Sequence, residues 1–222
     1  MLGFDLERGK AIALIEAELR GAAPDGWTME TFNDGFLDIE GAIFRDGSTT
    51  AYIVFRCTDS TENWFTNFVF VKKSLAYGNK ASKIRLHLGF FLDYTGYARG
   101  FIHSWLKDHS EVKGLVVAGH SLGGALATLC AVDLQYNFAD RFISEDAVEC
   151  ITFGSPRVGN KAFVESFNKR VPLTLRYRYA NDIVTHLPPE WFGFKHVAAT
   201  LQLGKPGWPS AKAHELSNYK KD

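Results

Sequence analysis

Hydrophobic and polar positions follow two different periods along this chain, and the changes of period divide it into elements. From Leu6 to Arg20 the apolar residues Ile12, Ile15 and Leu19 recur at helical spacing and Gly21 follows them, which predicts a surface helix ending at a glycine stop. From Phe36 the period drops to two: FLDIEGAIF and AYIVFR flank the turn residues RDGST, the pattern of a β-hairpin turning at Asp46-Gly47. After a polar interruption, WFTNFVFV is a bulky apolar segment with no evident strand partner. Between Phe90 and Lys107 the residues Phe90, Phe91, Tyr94, Tyr97, Phe101 and Trp105 predict a helix with one broad aromatic face against a large core. Then KGLVVAG reads as a short buried strand, GALATLCAVDLQYNF as a helix, VECITFGS as a strand, NKAFVESFNK as a helix and LTLRYRYA as a strand. FKHVAATLQL predicts a further strand and AKAHELSNY is helical in part. Strand and helix alternating in this way predict an α/β fold with an open, mostly parallel sheet flanked by helices, in a single domain over 1–222 without internal repeats.

Composition sharpens this. A chain of 222 residues that is 46% apolar and 23% charged can bury a sizeable core, and 14% aromatic residues exceed what a minimal core needs, so some can line a ligand groove. The formal charge is zero, with 25 basic and 25 acidic residues and no basic stripe, which argues against nucleic acid as a partner. No stretch approaches the length of a transmembrane helix, and charges every three or four positions in the N-terminal segment are unlike a signal h-region, so localisation stays open, as does oligomeric state. Cys57, Cys130 and Cys150 are too scattered for a disulfide framework and form no CxxC pair; free thiols are expected and no metal site is implied.

The chemistry concentrates at Gly119-His120-Ser121-Leu122-Gly123. It follows the strand LVVA and runs straight into the helix GALATL, the strand-turn-helix context that a G-x-S-x-G nucleophile elbow requires. A sharp turn strains the serine backbone, and a Cβ two residues to either side would crowd the neighbouring strand and helix. The serine oxygen then stands above the carboxyl edge of the sheet, with a helix N-terminus offering amides to a developing oxyanion.

A serine hydroxyl needs a base, and the usual one is a histidine held by a carboxylate, here expected downstream in the order Ser, acid, His. Asp182, just past the strand LTLRY, is placed to be that acid; Asp133, Asp140 and Asp146 are expected to face solvent or cap a helix end. Among the histidines, His87, His103 and His109 precede the elbow and read as packed or surface residues, and His120 lies within it, directed away from the side Ser121 uses. His196 reads as a satisfied histidine inside a strand. His214, in a polar segment free to fold back over the sheet edge, is the leading base, with His186, four residues from Asp182, as the alternative.

Six motifs in order, IVFRCTDSTENWFTN, LHLGF, VVAGHSLGGALA, ITFGSPRVGN, YRYANDIVTHLPP and AHELSNY, resemble those of the class 3 lipase family, a group with the α/β-hydrolase fold. The resemblance covers most of the chain. It implies Ser121 as nucleophile, Asp182 as acid and His214 as base, with no cofactor. It also implies an oxyanion hole from the amides of Thr58, in FRCT, and Leu122. One departure stands out: Cys57 occupies the place where the family usually has glycine, and its Cβ could tilt the Thr58 amide. The resemblance further implies that a segment at about 60–80, with Trp64, Phe65, Phe68 and Val71 on it, is a lid over the site. Apolar residues suit such a lid, because opening exposes area that a lipid phase can cover at about 25 cal/mol per Å². The expected function is hydrolysis of acyl glycerides at a lipid–water interface. Phospholipase A1 activity, a short-chain or feruloyl-type esterase, and a non-catalytic acyl-binding module that keeps the fold without the chemistry are the alternatives.

Overall fold

In the computed structural model, which describes residues 2–33, 40–56, 72–74, 82–138, 140 and 147–220, the two hydrophobic periods become one sheet and the helices on its faces. Helix α1 (Leu2–Arg20) ends at Gly21, whose φ of +66° lies in the left-handed region that a glycine stop favours. The strands are β1 (Thr28–Asn33), β2 (Glu40–Arg45), β3 (Thr50–Arg56), β4 (Lys72–Ser74), β5 (Arg85–His87), β6 (Gly114–His120), β7 (Val148–Phe153), β8 (Thr174–Tyr179) and β9 (Thr200–Leu203). Seven of them form the central sheet in the order β1-β2-β3-β6-β7-β8-β9, while β4 and β5 pair separately. The first three are antiparallel, and every pairing from β3 to β9 is parallel. The predicted hairpin is β2-β3, closed over Asp46 and Gly47, where Asp46 Oδ1 accepts from the Ser48 amide at 3.1 Å and Gly47 has φ +84°. Strand β1 was not foreseen: TMETFN buries only Phe32, so its period is nearly silent.

Alternate residues of the central strands feed two cores. Ile53, Phe55, Leu115, Val117 and Cys150 face helices α2 (Leu88–Asp93), α3 (Arg99–Asp108), α4 (Leu122–Phe138) and α5 (Lys161–Arg170). Tyr52, Val54, Val116, Ala118, Ile151 and Phe153 face α1 and the C-terminal Tyr219. Full burial of a side chain such as Phe55 contributes about 2–3 kcal/mol. Helix α4 is buried on all sides from Leu122 to Gln135, in keeping with a largely apolar sequence interrupted by Thr128, Asp133 and Gln135. Cys130 and Cys150 are buried free thiols.

Three expectations need correction. The aromatic face from Phe90 to Trp105 is broken by a π-helical turn, Tyr94–Ala98, which adds a residue to the turn; Phe90, Tyr94, Ala98, Ile102 and Trp105 are buried, while Tyr97 is exposed. The last strand is only Thr200–Leu203: Ala198, at φ +52° with its amide on Asn168 Oδ1, interrupts FKHVAATLQL, so His196 sits in the preceding loop with Nε2 donating to the Thr185 carbonyl at 2.7 Å. Asp133 is buried rather than solvent-facing, because its carboxylate meets Tyr94 Oη (2.8 Å), Arg99 Nε (3.1 Å) and His103 Nε2 (2.6 Å). Asp146 lies outside the described residues.

Candidate active site

The parallel strands all deliver their carboxyl ends to one edge, and the elbow stands there. Strand β6 ends at His120, Ser121 turns the chain with φ +58°, and α4 begins at Leu122. A non-glycine residue in this region costs about 1–3 kcal/mol, and the fold holds it through Ser121 N–H to Phe153 O and Gly124 N–H to Ser121 O, each 3.0 Å. The flanking glycines are required by close approach: a Cβ on Gly119 would lie 2.2 Å from Gly123 O, one on Gly123 2.3 Å from Phe55 O, and one on Gly124 2.8 Å from Ser155 Cβ. The Leu122 amide belongs to the first helical turn, where N–H groups have no intrahelical acceptor.

Asp182 follows the end of β8 by three residues and is tied into place by a parallel bridge to Ser210. Its Oδ1 accepts the Val184 amide at 2.9 Å, and its carbonyl accepts the Thr185 hydroxyl at 2.7 Å. The segment after β9 folds back over the edge and forms a 3₁₀ turn, Lys212–His214. There His214 Nδ1 donates to Asp182 Oδ2 at 2.8 Å, and His214 Nε2 accepts from Ser121 Oγ at 2.7 Å. The three side chains are buried: Ser121 and Asp182 are 0% exposed and His214 5%. The expected serine, acid and histidine therefore form one unbroken hydrogen-bonded chain. His186 does not join it; its Nε2 contacts Asn181 Oδ1 at 2.7 Å.

Three residues around this chain carried no such role in the sequence reading. Gly154, at φ +58°, sits under the Asp182–His214 pair, where a Cβ would fall 2.6 Å from Asp182 Oδ2 and 2.9 Å from His214 Nδ1. Tyr219, fully buried, donates its hydroxyl to Asp182 Oδ2 at 2.5 Å; burial and the charge of Asp182 push its own ionisation well up. His120, expected to point away from the side Ser121 uses, instead stacks on His214 with ring centroids 4.6 Å apart, because its Nε2–H donates to the His214 carbonyl at 2.7 Å. Burial, with the nearby His214, pushes His120 down to about 3, so it is a neutral plate against the His214 ring. The signals were faint but present: Gly154 and Tyr219 lie within ITFGSPRVGN and AHELSNY, and His120 touches Ser121 in sequence.

The histidines upstream of the elbow have other work. His87 Nδ1 accepts the Phe90 amide at the start of α2, His103 lies on Asp133, and His109 stacks on Trp105 at 4.0 Å. Cys57, Thr58, Trp64, Phe65, Phe68 and Val71 lie outside the described residues; of the segment 60–80 only β4 is described, paired antiparallel with β5.

Known proteins are similar to this chain in sequence and in fold. The family model for lipase (class 3) matches residues 52–192. The lipase of Rhizomucor miehei is 35% identical over 181 residues, covering 79% of this chain and 48% of its own length. Among solved structures, a triacylglycerol lipase described as having a serine protease triad at its catalytic centre superposes with a TM-score of 0.78 at 30% identity, over 88% of this chain and 78% of its own. A fungal lipase–inhibitor complex described as a model for interfacial activation gives a TM-score of 0.79 at 26% identity, over 100% of this chain and 97% of the other. The chain spans about half the length of the curated relatives it matches. The family model covers more than half of the chain and the Rhizomucor lipase is 35% identical over most of it, so the chain belongs to the class 3 lipase family.

Proposed function

We propose that this protein is a serine carboxylic ester hydrolase whose substrates are acyl glycerides. The reading is carried by the Ser121–His214–Asp182 chain of hydrogen bonds at 2.7 and 2.8 Å. Ser121 Oγ attacks the ester carbonyl carbon while its proton passes to His214 Nε2, and Asp182 holds the resulting imidazolium through Nδ1–H. The tetrahedral intermediate collapses with cleavage of the carbon–oxygen bond, and His214 returns the proton to the leaving alcohol oxygen. Water then attacks the acyl-serine, giving its proton to His214; Ser121 recovers that proton as the fatty acid leaves. The amides of Leu122 and Thr58 are the oxyanion donors in this reading, each worth about 3 kcal/mol in the transition state.

Acyl glycerides are favoured over small soluble esters by the complete burial of Ser121 and by the apolar segment bearing Trp64, Phe65, Phe68 and Val71, which in this reading is the cover that opens on lipid. Hydrolysis of p-nitrophenyl esters from acetate to palmitate, in solution and emulsified, by the native chain and by Ser121→Ala tests it. Activity on medium and long chains that rises at the interface and disappears in the variant is expected. Cleavage of short soluble esters alone would leave the chemistry and remove the lipid substrate, and equal background rates in both proteins would overturn the hydrolase.

A further inference from the structure

Among the described residues, four of the nine exposed large apolar side chains, Ile183, Trp191, Phe192 and Trp208, follow β8 or β9 at the edge that carries Ser121. The two most exposed of them are Trp208, at 92%, and Trp191, at 84%; Phe192 is exposed next to Trp191 in sequence, and Ile183 is exposed earlier in the same loop. Ile183 directly follows Asp182. Trp191 lies on a 3₁₀ turn, Glu190–Phe192, in the loop that leaves β8, and Trp208 lies in the loop that leaves β9. Both strands end at the catalytic edge.

The supports of these two indoles are fixed. The loop with Trp208 is held by Asn181 Nδ2 on the Gly207 carbonyl (2.7 Å), by the Ser210 amide on the Asn181 carbonyl (3.0 Å) and by the Asp182–Ser210 bridge. The turn with Trp191 is held by the buried guanidinium of Arg157, which donates to the carbonyls of His186 and Pro188 and to Glu190 Oε1. Lys195 closes it from the other side, with Nζ on Glu190 Oε2 at 2.6 Å and its amide on the Gly159 carbonyl. Both loops are thus fastened to the stretch from Asn181 to Pro188 that also fixes Asp182, and neither is free to fold its indole back into the core.

Exposing two such rings costs hydrophobic free energy unless something covers them. Tryptophan, an apolar body with one N–H, suits the boundary between lipid headgroups and acyl chains. Two indoles on separate loops among charged neighbours, Lys195, Lys205 and Lys212, do not make the contiguous apolar centre that a protein interface buries. A second copy of the chain seated here would also cover the edge through which an ester must reach Ser121. A lipid phase covers the rings and supplies the substrate at once.

We propose that Trp191 and Trp208 form a fixed lipid-surface anchor that seats the catalytic edge on an acyl-lipid interface, independently of the segment 60–80. The proposal rests on the ester hydrolase reading above.

The test compares the parent with Trp191→Ser/Trp208→Ser and with Leu19→Ser/Leu173→Ser, which removes two apolar side chains of 43% and 45% exposure from α1 and from the start of β8, at the opposite end of that strand. Binding to phosphatidylcholine vesicles containing dioleoylglycerol is measured by sedimentation in the Ser121→Ala background, and turnover is measured on soluble p-nitrophenyl acetate and on emulsified tributyrin. The tryptophan pair is expected to bind vesicles about a hundredfold more weakly than the parent. Its kcat/KM on the soluble ester should stay within about twofold, and the leucine pair should bind like the parent. Parent-like vesicle binding by the tryptophan pair, an equal loss in the leucine pair, or a parent that does not bind vesicles would each overturn the anchor. If emulsified tributyrin is still hydrolysed in those cases, the ester hydrolase reading survives; absence of any Ser121-dependent hydrolysis removes that reading whatever the vesicles show.

Discussion

Tyr219 and His214 donate to the same carboxylate oxygen: the Tyr219 hydroxyl reaches Asp182 Oδ2 at 2.5 Å and His214 Nδ1 reaches it at 2.8 Å. With Val184 on Oδ1, the carboxylate is gripped from three directions, which fixes the plane in which His214 must lie. Tyr219 is itself packed edge-on to His120, Phe153 and Tyr179, and its neighbour Lys220 pairs with Glu16 of α1. The C-terminal 3₁₀ turn, Leu216–Lys220, therefore connects the face of the sheet opposite α4 to the reactive chain.

Tyr219→Phe removes one donor to a charged acceptor and keeps the ring. A hydrogen bond of that kind is worth about 1.5–3 kcal/mol, so kcat on a soluble ester should fall about tenfold or more. KM should be unchanged, since Tyr219 touches the acid and not the substrate pocket. Steady-state kinetics separates the two: a rise in KM at constant kcat would contradict the positioning role.

Gly154→Ala tests the space beneath the Asp182–His214 pair. The new Cβ would collide with both side chains, and φ +58° strains any L residue, so the pair must move. An expected loss of about a hundredfold in kcat follows from misplacing the base by an ångström. Gly26→Ala provides the comparison, because Gly26 has φ +77° but nothing within 4 Å of a new Cβ. It should lower thermal stability slightly and leave kcat intact; equal activity in the two variants would show that Gly154 is not placed as described.

The elbow and the alternation of strand and helix were legible because each is written locally: glycines at fixed offsets about a serine, and apolar runs of strand length followed by helical ones. His214 was legible by order and position, and Asp182 by its place past a strand end. What escaped depends on tertiary contact. Nothing local distinguishes Gly154 from other turn glycines until Asp182 and His214 arrive above it. Tyr219 looks like a terminal aromatic until its hydroxyl meets an acid 37 residues away. Asp133 misleads for the same reason: an acidic residue on a helix reads as solvated, yet its partners Tyr94, Arg99 and His103 come from the preceding helical stretch. The π-helical turn that brings Tyr94 there has no periodic signature of its own.

Asp133→Asn should weaken the fold without touching catalysis. The carboxylate is 1% exposed and also accepts from Asn137 Nδ2 at 2.9 Å, and His103, Tyr94 and Arg99 hold its ionisation below the usual range against the cost of burial. Breaking a buried charge network of this kind costs about 3 kcal/mol. For a chain of this size that lowers the melting temperature by roughly 6–12 °C. Asp133 lies three turns along α4 from Leu122, roughly 16 Å, so kcat/KM on a soluble ester below the melting range should match the parent. An unchanged melting temperature would show that the network contributes nothing to stability.

The histidines give stability a pH dependence of definite sign. Burial pushes His120 down to about 3, and pushes His196 well below its ordinary value with Arg176 adding to the effect. In the unfolded chain both take up a proton near pH 6.5, whereas the folded protein refuses it until far lower pH. The unfolded state then binds more protons throughout the interval, so stability is fully present above about pH 6.5 and falls steadily as the pH drops toward about 3. Between about pH 7.5 and about pH 5, His120 alone accounts for about 2 kcal/mol of that loss. Glu18 and Glu149, raised by burial, act in the opposite sense just above their ordinary range, so the native protein's slope is a sum of both. Replacing His120 by Gln removes one contribution and leaves the others in place. Urea midpoints of the parent and of His120→Gln, measured at both pH values, should show the variant losing less stability on acidification, even where it is less stable at neutral pH. Parallel losses in the two proteins would mean that His120 is protonated in the folded state, and the neutral plate against His214 would have to be abandoned.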